Sequence, residues 1–203
     1  MSVVAMPRAE ADLVQRMAAS FSRAGASLTG QQRRAIAMTS RRLALDPTSA
    51  RPDNAVGELV WRVTAAPHTI RPGWIRSLAA AGINARAYVE ILGVVARVQA
   101  IDTFCFALGH ELVEPPRGGL DPPSRKLAAD AALQGGWVPT VGRASPGSAL
   151  SAEPAEQQAM KDLSNVFYLS TEAMADLDVD RGLHRTNMEL VATRTSLLNE
   201  CFY

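Results

Sequence analysis

Along most of this chain, apolar residues recur at steps of three and four, the spacing of helices that bury one face. Leu13, Val14, Met17 and Phe21 predict a first helix over about 8–24. A second is expected from Thr29 to about Leu45. Thr29 is placed to cap it, and Gln32, three residues on, completes a capping box. Pro47 follows the expected end. Val56, Leu59, Val60 and Val63 predict a third helix over 54–66, ended by Pro67, and a short one over 72–81 is closed by Gly82. The strongest periodicity runs over 85–108: Val89, Leu92, Val95, Val98, Ile101, Cys105 and Leu108, with Ile91 and Val94 on the opposite side. A helix apolar on most faces lies at the centre of a fold or is covered by another subunit.

The pattern breaks over 111–150, where six prolines and six glycines interrupt it. That stretch is expected to be a linker, or an arm wrapping the fold or a neighbour, with one short helix at 124–133 and Trp137 as its anchor. Helical spacing resumes over 153–168 and 171–178, and again from Leu183. The fold class expected is therefore all-α. Two helical units, 1–110 and 151–203, are joined by the Pro/Gly-rich arm 111–150.

The two units share a pattern. A shift of 99 residues places Arg86 on Arg185, Glu90 on Glu189, Leu92 on Val191, Val98 on Leu197 and Asp102 on Cys201. Glu189 is followed by eleven residues and then Cys201-Phe202-Tyr203. The first copy has the glutamate, eleven residues, then Asp102-Thr103-Phe104-Cys105 and Gly109-His110.

Composition narrows the function classes. Of 203 residues, 47% are hydrophobic and 20% charged, which disfavours a disordered chain. The formal net charge of +1 argues against a dedicated nucleic-acid binder. The charge is uneven: residues 1–100 hold 13 basic and 6 acidic side chains, and 101–203 hold 8 and 14, which suits attraction within a fold or an oligomer. Cys105 and Cys201 are too few for a disulfide framework. With no secretory signal, and with Glu90, Arg97 and Asp102 interrupting the longest apolar run, a soluble cytoplasmic protein without a membrane segment is expected. Cys105, on an apolar stripe, reads as a buried structural thiol. Glu90 reads as half of an ion pair with Arg97. Glu189 stands between a pair with Arg185 and a role in proton transfer. His68 and His184 read as surface residues, and no metal-ligand spacing or phosphate loop is present.

At Glu189 and Cys201 the chain resembles the AhpD-like alkylhydroperoxidases of the carboxymuconolactone decarboxylase-like superfamily. Their motif is Glu, eleven residues, Cys-x-x-Cys, three residues, His. The segment from Tyr88 to Ala96 and the following Ile-Asp-Thr-Phe resemble the two-part members. The resemblance implies an AhpD-like helical bundle, a homo-oligomer built on trimers, and thiol-dependent reduction of a hydroperoxide by a thiol or dithiol reductant, with no cofactor. Glu189 would relay protons. Cys201 would be the resolving thiol, because the family's second cysteine attacks the peroxide. That residue and the histidine would follow Tyr203, so the motif is expected to be incomplete in this chain. A selenocysteine codon read as a stop, a frameshift and a genuine truncation all remain open. The alternative is a non-catalytic helical oligomeric relative, or a fragment of such an enzyme. A cofactor-free decarboxylase is a third, weaker option.

The spacing itself carries a demand. Twelve residues of continuous helix would separate Glu189 from Cys201 by about 18 Å, too far for proton transfer. A turn is expected between them, with Asn199 capping a new helix whose first turn holds Cys201. The field at a helix N-terminus would help to ionise its thiol.

Overall fold

The computed structural model describes residues 3–198. Among them it has eight α-helices and no β-strand: α1 (Arg8–Ser20), α2 (Gly30–Leu45), α3 (Ala55–Ala65), α4 (Pro72–Ser77), α5 (Ala85–Leu108), α6 (Pro154–Phe167), α7 (Thr171–Met174) and α8 (Arg185–Leu198). By contacts the chain divides into two units, 1–163 and 164–203. The division falls within α6, not at 110 or 150, and the arm 111–150 belongs with the first unit.

In the first unit α5 is the central helix, packed by α2, α3 and α1. Its Val89, Ile91, Val94, Val95, Val98, Ile101 and Cys105 are buried together with Leu13, Val14 and Met17 of α1, Ile36 and Leu43 of α2, and Leu59 and Val60 of α3. Burial on this scale is the main stabilising term, at about 25 cal/mol per Å² of apolar surface removed from water. By length and composition alone α5 could cross a bilayer, so its charges do not interrupt it as the sequence reading had it. In this fold those charges, Glu90, Arg97 and Asp102, are buried within the first unit.

Local chemistry sets the helix ends. The capping box at Thr29 and Gln32 forms: Thr29 Oγ1 accepts from the Gln32 N–H, and Gln32 Oε1 accepts from the Thr29 N–H at 2.9 Å. Asn84 caps α5, accepting from the Arg86 and Ala87 N–H groups at 3.1 and 2.9 Å. Gly109 closes α5 at φ 76°, a left-handed conformation that lets the His110 N–H reach the Cys105 carbonyl at 2.9 Å.

Three expectations need correction. Residues 124–133 form no helix. Arg125 sits at φ 54°, outside the helical region, and the Ala128 and Ala132 N–H groups, which a helix from 124 would send to Ser124 and Ala128, donate instead to the carbonyls of Ala152 and Thr140 at 3.4 and 3.0 Å. Trp137 is 54% exposed and anchors nothing. The arm is held by its backbone: Gly119 N–H donates to Ser22 O, Gln31 N–H donates to Gly119 O, and the Arg34 and Arg41 guanidiniums donate to Pro115 O and Val113 O. Finally, α7 stops at Met174, not 178, where Asp176 accepts from the Asp178 N–H in a local turn that competes with helix.

In the second unit, α8 follows a turn in which Asp180 Oδ1 accepts from the Gly182 N–H at 2.7 Å. None of the described α8 side chains is buried within this chain.

Candidate functional site

The two glutamates of the sequence repeat occupy opposite environments. Glu189, in the second turn of α8, keeps a side chain 47% exposed. Its Oε1 accepts from the Tyr168 hydroxyl at 2.5 Å and lies 2.7 Å from Arg185 Nε, the i,i+4 pair read from the sequence. The Tyr168 hydrogen bond, followed by the Arg185 charge, holds the Glu189 carboxyl below the usual carboxylate range. The same bond raises the Tyr168 phenol above its ordinary value. At neutral pH Glu189 is thus an ionised carboxylate accepting a hydrogen bond from a protonated phenol, with both groups shifted away from neutral pH. Cys201, and the bend expected at Asn199, lie outside the described residues.

Glu90, the first-copy counterpart, is fully enclosed. The sequence paired it with Arg97, but each has a different partner. Glu90 Oε1 accepts from Arg33 Nη1 at 2.5 Å, and its Oε2 accepts from the Ser27 N–H at 2.6 Å. Arg97 donates to Glu156 of α6, to Ser20 Oγ at 2.9 Å and to Gly93 O at 3.2 Å, with its guanidinium 5.1 Å from the Phe21 ring centroid. Arg33 also reaches Glu156, at 2.7 Å, so one guanidinium bridges two carboxylates. Burial tends to lower the Arg33 pKa, but Glu156 and Glu90 outweigh it and the net shift is upward. For Arg97 burial wins over Glu156 and the shift is downward, which still leaves a guanidinium charged. Closed off from solvent, this cluster cannot touch a substrate in the folded state.

At the position matching Cys201 the first copy has Asp102, held by a bidentate pair with Arg41 at 2.7 and 2.8 Å. Cys105 is 1% exposed, and burial, then the Asp102 charge, pushes its thiol up, so it is a poor nucleophile. The first copy therefore carries neither an accessible acid nor a reactive sulfur. Among the described residues no three His, Cys, Asp or Glu side chains are placed to hold a metal ion.

Sequence reasoning missed Arg33, Glu153, Glu156 and Tyr168. A signal existed for the first. Arg33 and Arg41 fall on the same stripe of α2 as Ile36, Ala37 and Ser40, and arginines on an apolar face announce buried carboxylate partners. A surface cavity of about 540 Å³, lined by Ser27, Leu28, Gln32, Asn84, Ile91 and Arg125 among others, includes none of the candidate residues. Comparison of the chain with models of protein families, with characterised proteins and with solved structures gave no match.

Proposed function

We propose that this chain is a thiol-dependent hydroperoxide reductase of the AhpD-like kind, whose second helical unit carries the chemistry and whose first is scaffold. The observation that supports this reading most is the contrast between the two glutamates: Glu189 is accessible and accepts a phenolic hydrogen bond, while Glu90 is enclosed among guanidiniums. In the overall reaction a hydroperoxide and two thiols give an alcohol, water and a disulfide. Cys201 takes the resolving step: its sulfur bonds to the sulfur of a sulfenic acid, or the selenium of a selenenic acid, and hydroxide leaves as water. Glu189 relays the Cys201 proton to the departing hydroxide through water, because α8 runs unbroken from Glu189 to Leu198, about 14 Å along its axis. The hydroperoxide and the dithiol reductant are the only partners this chemistry requires.

The test is peroxide consumption in the presence of a dithiol, measured on the chain and on the longest product of its reading frame. Consumption is expected to vanish in Cys201→Ser and to fall by about 10²-fold or more in Glu189→Gln. No consumption by either form, or an unchanged rate in Cys201→Ser, would overturn the reading.

One feature favours the alternative, a non-catalytic helical protein that assembles with copies of itself. Leu190, Val191, Leu197 and Leu198 of α8 are each more than half exposed in the single chain. A stable oligomer in sedimentation, together with absent turnover, would select that alternative.

A further inference from the structure

The buried cluster of the first unit holds more acid than base. Glu90, Glu153 and Glu156 are 0%, 1% and 3% exposed, and the guanidiniums enclosed with them are Arg33 and Arg97. Arg33 pairs with Glu90 and Glu156 through Nη1, its Nε lying buried without a partner, and Arg97 pairs with Glu156. Glu153 is the surplus acid. Its Oε1 is shut off from solvent and has no hydrogen-bond partner. The remaining cation facing it, Arg86 of α5, donates from Nη1 and Nη2 to the carbonyls of Ala152 and Ala128 at 3.1 and 3.0 Å. The charged groups around Glu153 are then Glu90 and Arg86 on α5, Arg33 on α2 and Glu156 in the first turn of α6. A second uncompensated negative charge in such a place is costly, because buried carboxylates need a cation or hydrogen-bond donors.

We propose that Glu153 is a buried proton-binding site, neutral while the junction between the arm and α6 is closed, and that loss of its proton loosens that junction. Of the three acids, Glu153 is the one able to move. Glu90 sits on the central helix, and Glu156 is gripped by two arginines. Glu153 immediately precedes α6, where the incoming chain is held by backbone bonds from Glu153 N–H to Leu150 O at 2.9 Å and from Ala128 N–H to Ala152 O at 3.4 Å. Opening this corner hydrates the carboxylate, releases Arg86 from Ala152 O and exposes Leu150 and Ala152, but leaves the backbone ladder of α5 intact.

Burial, then the charge of Glu90, raises the Glu153 carboxyl to about 7, with Arg86 and Arg33 opposing. An unfolded glutamate titrates near 4.5. Between those values the folded chain holds a proton that the unfolded chain lacks. The stabilisation is therefore complete below the unfolded value, declines as pH rises through the folded one, and is gone above it. This inference does not rest on the redox reading and its test needs no turnover.

The experiment is amide hydrogen exchange at pH 5.5 and 8.5, each rate divided by its intrinsic chemical rate, on the wild type and on Glu153→Gln. In the wild type, amides of 149–160 are expected to lose about tenfold or more of their protection at pH 8.5, while those of α5 keep theirs. In Glu153→Gln that pH difference should disappear, and the rise in Tm over the wild type should be larger by about 3–8 °C at pH 8.5 than at pH 5.5. A pH difference that persists in Glu153→Gln overturns the proposal. Should that variant not fold, ¹³C titration of the wild-type glutamate carboxyls decides. A midpoint near 7 assigned to Glu153 supports the site, and one below 5 removes it.

Discussion

In α5 and α8 the same spacing meets two surroundings. Each helix has an arginine and, four residues on, a glutamate: Arg86 and Glu90 in one, Arg185 and Glu189 in the other. In α8 the two pair with each other as i,i+4 neighbours, with the Glu189 side chain 47% exposed and that of Arg185 13%. In α5 they ignore each other. Arg86 turns to backbone carbonyls, and Glu90 turns to Arg33 and the Ser27 N–H. Where water surrounds a helix, the nearest neighbour along it supplies the partner. Where protein surrounds it, partners come from other elements, and an arginine 57 positions away in sequence displaces one four positions away. A glutamate on helical spacing thus carries no chemistry of its own: α5 makes one structural, and α8 leaves one available.

Three substitutions probe this contrast, in falling order of expected effect. Arg33→Met removes the cation shared by Glu90 and Glu156 and strands buried charge. Unfolding free energy measured by denaturant should fall by about 3–5 kcal/mol. A loss no larger than that of a surface substitution would mean that α5 is no more selective of its partners than α8. Gly93→Ala should cost about 1–2 kcal/mol. The added Cβ would lie 2.6 Å from Glu156 Oε2 and 3.0 Å from its Cβ, and that crowding outweighs a gain in helix propensity of up to about 1 kcal/mol. Neutral or positive ΔΔG would show that Glu156 yields easily. Smallest of all, Arg185→Ala should leave the unfolding transition of the first unit unmoved, since its ion pair is with the exposed Glu189; a shifted midpoint would contradict the default pairing assigned to α8.

Much of the architecture was legible because local rules decide it. Apolar spacing located every helix of the first unit within a few residues. Thr29 with Gln32 gave the start of α2, and Gly82 closed the short helix before α5. The position of Cys105 on an apolar stripe foretold its burial. What local rules do not decide was read less well. Pairing Glu90 with Arg97 followed from helical geometry alone, and both side chains found closer partners on α2, α6 and the segment before α2. The helix read at 124–133 failed for the same reason: the Ala128 and Ala132 amides that its ladder needs are claimed by the carbonyls of Ala152 and Thr140, beyond its expected end. Of the candidate site, Glu189 and its Arg185 partner were legible. Tyr168 was not, because no short spacing joins it to a residue 21 positions later.

The manner in which the arm is held has an evolutionary consequence. Its grip on the first unit is made largely by peptide groups, which every residue type possesses, and Gly118 passes so near the Gln31 backbone that an added Cβ would come within 2.5 Å of its Cα. Replacement of most letters in 111–150 therefore leaves the attachment intact, whereas deleting a single residue shifts every later amide off its acceptor. Selection on this segment should act on its length and a few glycines and leave the remaining identities free to drift.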